Sequence, residues 1–127
     1  MIVIKIPYTT ELPCSVHEVA SPKSNKCLDE IKALIGIEWA EIVITKIKGE
    51  DRHRDYSLIV DEVGKLKEDW MNKINWRASA YYAGTSQGDP IVGDVVLCAR
   101  QWNESFGECD LDGLDDWELE QLLFLLL

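Results

Sequence analysis

Met1 to Ile6 is a short apolar, β-branched run that carries Lys5, which predicts a first strand stopped by Pro7. Residues 8–26 are rich in Thr, Ser and Pro and read as loop, with Ser15–Ala20 a candidate short strand. Leu28, Ile31, Leu34 and Ile35 fall at i, i+3, i+6 and i+7, the stripe of an amphipathic helix, and Gly36 supplies its C-terminal stop. Glu41–Lys48 reads as a strand through Ile42, Ile44 and Ile47, Gly49–Asp55 as a charged turn, and Tyr56–Val63 as the strand returning from it. Gly64-Lys65 marks a further turn. Asn75–Ala83 predicts a short helix, Gly84–Pro90 a loop, and Ile91–Arg100 a buried strand with Gly93 as a bulge. Asn103–Gly113 reads as loop. Asp115 stands three residues before Glu118, a capping-box spacing, and opens a helix with Leu119, Leu122, Leu123 and Leu126 on one face.

The order β-(β)-α-β-β-α-β-α predicts one α+β domain over residues 1–127. Its frame is a mostly antiparallel sheet of four to five strands, with two to three helices packed on one side. An apolar share of 46% and a charged share of 28% agree with a folded globular chain. The first residues carry no apolar signal core, and the longest apolar run, Leu122–Leu127, is far short of the ~20 residues of a membrane span. A cytoplasmic location and no membrane contact are therefore expected. Four cysteines in such a compartment are thiols or metal ligands rather than disulfides.

Charge sharpens the picture at one end. Residues 101–127 hold eight carboxylates and no Lys or Arg, so −8 of the net −10 lies there. Such a field repels nucleic acid and speeds encounter with a basic partner. The candidate partner-binding set is Asp110, Asp112, Asp115, Asp116, Trp117, Glu118 and Glu120; the plainer reading is a solvated acidic tail. Trp102 and Trp117 flank the segment, and a Trp among carboxylates suits an interface anchor as well as a core edge. Trp76 and Tyr82 read as core at helical spacing.

Catalytic patterns are absent. Gly84 and Gly88 form no phosphate loop, no Gly-x-Ser-x-Gly elbow occurs, and two histidines, His17 and His53, make no His-Glu-x-x-His pair. The carboxylates from 104 to 120 give no reason to expect two acids fixed across a cleft. Asp110 to Asp116 lacks the spacing of a calcium loop. The expectation is a protein that is not an enzyme. Cys14-x2-His17 has a zinc-chelate spacing, Cys27 follows with nine residues between it and His17 by the same soft-ligand logic, and Cys109 is the candidate fourth ligand. A structural zinc is the only cofactor these residues suggest. Against it, a regular strand over Ser15–Ala20 would turn positions 14 and 17 to opposite faces. Cys98, among Val95, Val96, Leu97 and Ala99, reads as core.

Leu58-Ile-Val-Asp-Glu-Val-Gly-Lys65, Asn75-Trp-Arg-Ala78 and Asp89-Pro-Ile-Val-Gly-Asp94-Val-Val96 resemble segments of a family of small domains of unknown function carried by phages, prophages and mobile elements. Leu28–Gly36 fits that family's preceding helix. The resemblance spans Ile2 to Leu97 and implies an α+β fold and a mobile-element origin, with no catalytic residues to transfer. In size and charge the chain is also similar to anti-CRISPR proteins. That similarity implies a counter-defence role against Cas9 or another host defence nuclease, with the acidic segment on a basic surface that hinders target-DNA loading and no direct contact with nucleic acid. Two alternatives are an anti-restriction DNA mimic and a sponge for an immune signalling nucleotide, for whose phosphates Arg77 and Arg100 are the available cations.

Overall fold

The computed structural model describes residues 1–48, 54–82, 90–103, 105 and 108–127; most of the Gly84–Pro90 loop and of the charged turn at 49–55 lies outside the described residues. Six strands form one antiparallel sheet: β1 (Ile2–Ile6), β2 (Ser15–Glu18), β3 (Ala40–Lys48), β4 (Asp55–Asp61), β5 (Val95–Asn103) and β6 (Glu108–Asp112). Three helices accompany them among the described residues: α1 (Cys27–Ile35), α2 (Trp76–Tyr81) and α3 (Asp116–Leu125), with 3-10 turns at Gly64–Leu66 and Trp70–Lys73. The α+β class and the antiparallel pairing follow the sequence reading. The sixth strand is new: β6 lies within the stretch read as loop, and pairs with β5 from Ala99↔Asp112 to Asn103↔Glu108.

The spatial order is β2-β1-β5-β4-β3. β4 runs along one edge of β5, and the other edge is shared: β1 pairs with Val95–Leu97 and β6 takes over from Ala99 onward. Leu114 N–H donates to the Ile2 carbonyl at 2.9 Å, so the acidic segment is stitched to the first strand before α3 begins.

Helices lie on both faces of the sheet, not on one. Side chains alternate along each strand, so Ile4, Ile6, Leu58, Val60, Val95 and Leu97 face one way, packed with Ala78 of α2 and with Leu122 and Leu126 beside α3. Val3, Ile59, Val96 and Cys98 face the other way, under Cys27, Ile31 and Ile35 of α1. The central strands are buried on both sides and read as unbroken apolar runs, which conceals the two-sided cover from a sequence pattern. Gly36 ends α1 with φ +68°, the left-handed C-terminal stop its position predicted. Trp76, expected in the core, stands exposed on α2, while Tyr82 packs against the core as expected.

Candidate partner-binding surface

The acidic segment divides sharply once folded. Asp115 is the N-cap of α3: its Oδ1 accepts from Glu118 N–H at 2.8 Å, and Glu118 Oε1 accepts from Asp115 N–H at 3.1 Å. This is the reciprocal box that the spacing predicted. Glu118 does more than cap. It is 0% exposed, its Oε2 accepts a 2.6 Å hydrogen bond from the Tyr56 hydroxyl, and Arg54 Nε lies 3.2 Å from the same oxygen. Arg54 in turn donates to Asp112 Oδ2 at 3.1 Å and to the Gly113 carbonyl at 2.8 Å. Burial, then the bond to Glu118, pushes the Tyr56 hydroxyl above its usual range, so it stays a donor.

Glu118 is thus an internal tie between β4 and α3, and its assignment to a binding surface is corrected; Asp112 and Asp115 are half-buried, the one bound to Arg54 and the other spent on the cap of α3. A carboxylate closed off from solvent cannot meet a partner, and one spent on an N-cap or on Arg54 has its charge offset within the fold.

Asp110, Asp116, Trp117 and Glu120 do face solvent. At 100° per residue, Trp117, Gln121 and Phe124 share the side of α3 turned away from Leu122 and Leu126, with Leu125 at the margin between the two sides. Phe124 is 74% exposed, and Trp117 and Leu125 are also open. Asp116 and Glu120 run along one side of this stripe. The helix is therefore apolar on two faces, one spent on the core and one left outside. The spacing of Trp117 and Phe124, seven residues apart, was the available signal for the second face; the leucines of the inner face masked it.

The proposed zinc ligands do not converge. Cys14 packs against the α2/α3 side of the sheet and Cys27 is buried on the α1 side. His17 lies in β2 opposite Val3, with Nε2 2.6 Å from Ser15 Oγ, on the α1 face. Position 14 thus falls on the side opposite 17, as strand alternation requires. Cys109 pairs with Trp102 in the β5–β6 ladder. Among the described residues no group of three or more His, Cys, Asp or Glu is placed to hold a metal. Cys98 is a core thiol, its pKa pushed up to about 12 chiefly by burial.

A cleft of about 240 Å³ opens at the end of β3 and β4. Glu41, Asp61 and Glu62 line it against a single Lys65, around Val43, Val60 and Ile91. That balance suits no phosphate. Arg77, a candidate cation for a nucleotide, spends its guanidinium on the Pro7 and Thr9 carbonyls at 2.8 and 2.9 Å. No helix among the described residues is long and apolar enough to cross a membrane.

Compared with known proteins, the chain matches no family model, no curated protein and no solved structure. The resemblance to phage-borne domains rests on the quoted segments alone.

Proposed function

We propose that this chain is a non-catalytic binding domain that docks on a basic protein surface through the outer face of α3, in a counter-defence role against a host nuclease. One observation carries the reading: Phe124 is exposed and Trp117 partly so beside Asp116 and Glu120, in a segment with no Lys or Arg. An aromatic anchor supplies affinity when desolvated, and a rim of one charge sign steers and selects a partner of the other sign. Cas9, whose guide and target channels are lined with Lys and Arg, is the first partner to test, and occupation of such a channel would hinder target-DNA loading.

The test is capture of a Cas9–guide complex on the immobilised chain between about 50 and 500 mM salt. Binding should be strongest at low salt. It should weaken about tenfold in Asp116→Asn/Glu120→Gln and further in Phe124→Ser, each truncated anchor being worth about 2 kcal/mol. An empty capture at low salt removes Cas9 as the partner. Binding that the carboxamide pair leaves untouched removes this face.

A further inference from the structure

The cleft at the end of β3 and β4 lies at the far end of β4 from the Tyr56–Glu118 bond. Its lining is aliphatic at the base, where Val43, Val60, Ile91 and Val92 are all buried, and Tyr82 forms part of the wall. The Ile91 side is held from two directions. Ile91 N–H donates to Ser79 Oγ at 2.9 Å, and its carbonyl accepts from Asn75 N–H at 2.8 Å. Gly64 lets the neighbouring 3-10 turn close on Val92, since an added Cβ would come within 3.3 Å of Val92 Cβ. The fold itself therefore shapes the cleft, as a small-molecule site requires.

Its three carboxylates are not equivalent. Asp61 is already engaged: its side chain is 6% exposed and paired with Lys67 Nζ, and its Oδ1 accepts from Val63 N–H at 3.1 Å. Glu41 and Glu62 are exposed, and among the described residues neither carboxylate has a hydrogen bond or an ion pair. They come from adjacent strands. Glu41 stands opposite Val60 in the ladder, and Glu62 follows β4 with its N–H bonded to the Trp39 carbonyl at 2.9 Å. Two like charges are thus left at the mouth of an apolar cleft, beside the single cation of Lys65.

That combination fits a ligand with a cationic head and a short aliphatic stem, which keeps its charge at the mouth and lays its methylenes on the valines. A bare metal ion is poorly served, because no group of three or more ligating side chains converges among the described residues. At about 30 Å³ per water, the 240 Å³ of the cleft hold about eight waters, enough room for a butylammonium group.

We propose that this cleft binds a primary alkylammonium group, its stem on Val43, Val60 and Ile91 and its charge between Glu41 and Glu62. Two sources present that chemistry, a free aliphatic amine and a lysine side chain, and the assay separates them. The site does not involve α3 and does not depend on what α3 docks on.

Amide NMR of the full chain, titrated with n-butylamine or N-acetyl-lysine methylamide to about 50 mM, reads binding residue by residue. The expected result is saturable shifts at Glu41, Val43, Val60, Glu62 and Val92, with a dissociation constant of about 1 mM. Tighter binding of n-butylamine assigns the cleft to a free amine, and tighter binding of the lysine derivative to a protein side chain; either supports the ammonium site. Methylamine, which has no stem to bury, should bind about tenfold more weakly. Glu41→Gln/Glu62→Gln should weaken n-butylamine about tenfold and leave the thermal midpoint unchanged or raised, since two unpaired like charges are removed. Absence of saturable shifts at the cleft overturns the proposal. Equal affinities for methylamine and n-butylamine overturn it too, as does binding that the carboxamide pair leaves untouched. Shifts of the same size at Asp116 and Glu120 would reduce the effect to general attraction between charges and overturn the site.

Discussion

Replacing Glu118 with Ala should cost about 4 kcal/mol of folding stability, more than any other single surface-segment substitution. The residue is fully buried and ties three elements at once. Breaking a buried pair by deleting one partner costs about 3–5 kcal/mol, because the survivor is left unpaired in a poor solvent for charge. Arg54 keeps Asp112 and the Gly113 carbonyl and its side chain is 24% exposed, so the lower end, about 3 kcal/mol, applies here. Loss of the return bond to Asp115 N–H adds about 1 kcal/mol, the usual value of a helix cap. For a chain of this length that is a fall in Tm of roughly 15 °C. Glu118→Gln keeps an acceptor for Tyr56 and a cap, and should lose only about 2 kcal/mol. Urea and thermal unfolding measure both variants. Tyr56→Phe combined with Glu118→Ala should fall short of additivity by at least about 0.5 kcal/mol, as expected for groups sharing one bond. A Glu118→Ala loss below about 1 kcal/mol would refute the buried tie and return Glu118 to the surface set.

Alkali should destabilise the fold. Burial raises the thiols of Cys14, Cys27 and Cys98 and the Tyr56 hydroxyl above their unfolded values. The unfolded chain therefore loses these protons first; stability is whole below pH 9 and declines as pH rises through 9 to 12. A thermal midpoint flat between pH 9 and 11 contradicts this. Gly113→Ala should cost about 1–3 kcal/mol, since a Cβ there would sit 2.9 Å from Met1 Cβ and 3.1 Å from Ile2 N, and a variant as stable as the parent would show that the first strand yields. Ser57→Ala should be neutral or stabilising by up to about 1 kcal/mol, because its hydroxyl is buried without a partner. A clear loss in chemical denaturation would reveal a bond to that hydroxyl.

Much of the frame was legible because its signals are local. Gly36 stops α1 through its own φ, and Asp115 caps α3 through a residue three positions on. The β3–β4 hairpin joins chain neighbours. What escaped depends on partners distant in sequence. β6 carries Glu108, Asp110 and Asp112, poor strand formers, and is a strand because β5 offers an edge that β1 leaves vacant beyond Leu97. Helices on both faces went unseen because β5 is apolar at every position from Val95 to Ala99, which hides its alternation.

The acidic segment shows the same limit in its chemistry. Eight carboxylates in 27 residues are plain in the sequence, and their sum correctly marks one end of the molecule as negative. Their uses are not plain, because Arg54 and Tyr56 lie about sixty residues away and nothing local to Glu118 announces them. Long-range pairing removes Glu118 from solvent altogether and offsets Asp112. The charge offered to a partner is therefore smaller than composition suggests, and part of it, Asp116 and Glu120, lies beside Trp117 and Phe124. An even line of phosphate-like charges would have favoured mimicry of DNA. Under the docking proposed above, the aromatic rings of α3 would supply the affinity and the carboxylates beside them would choose where they land.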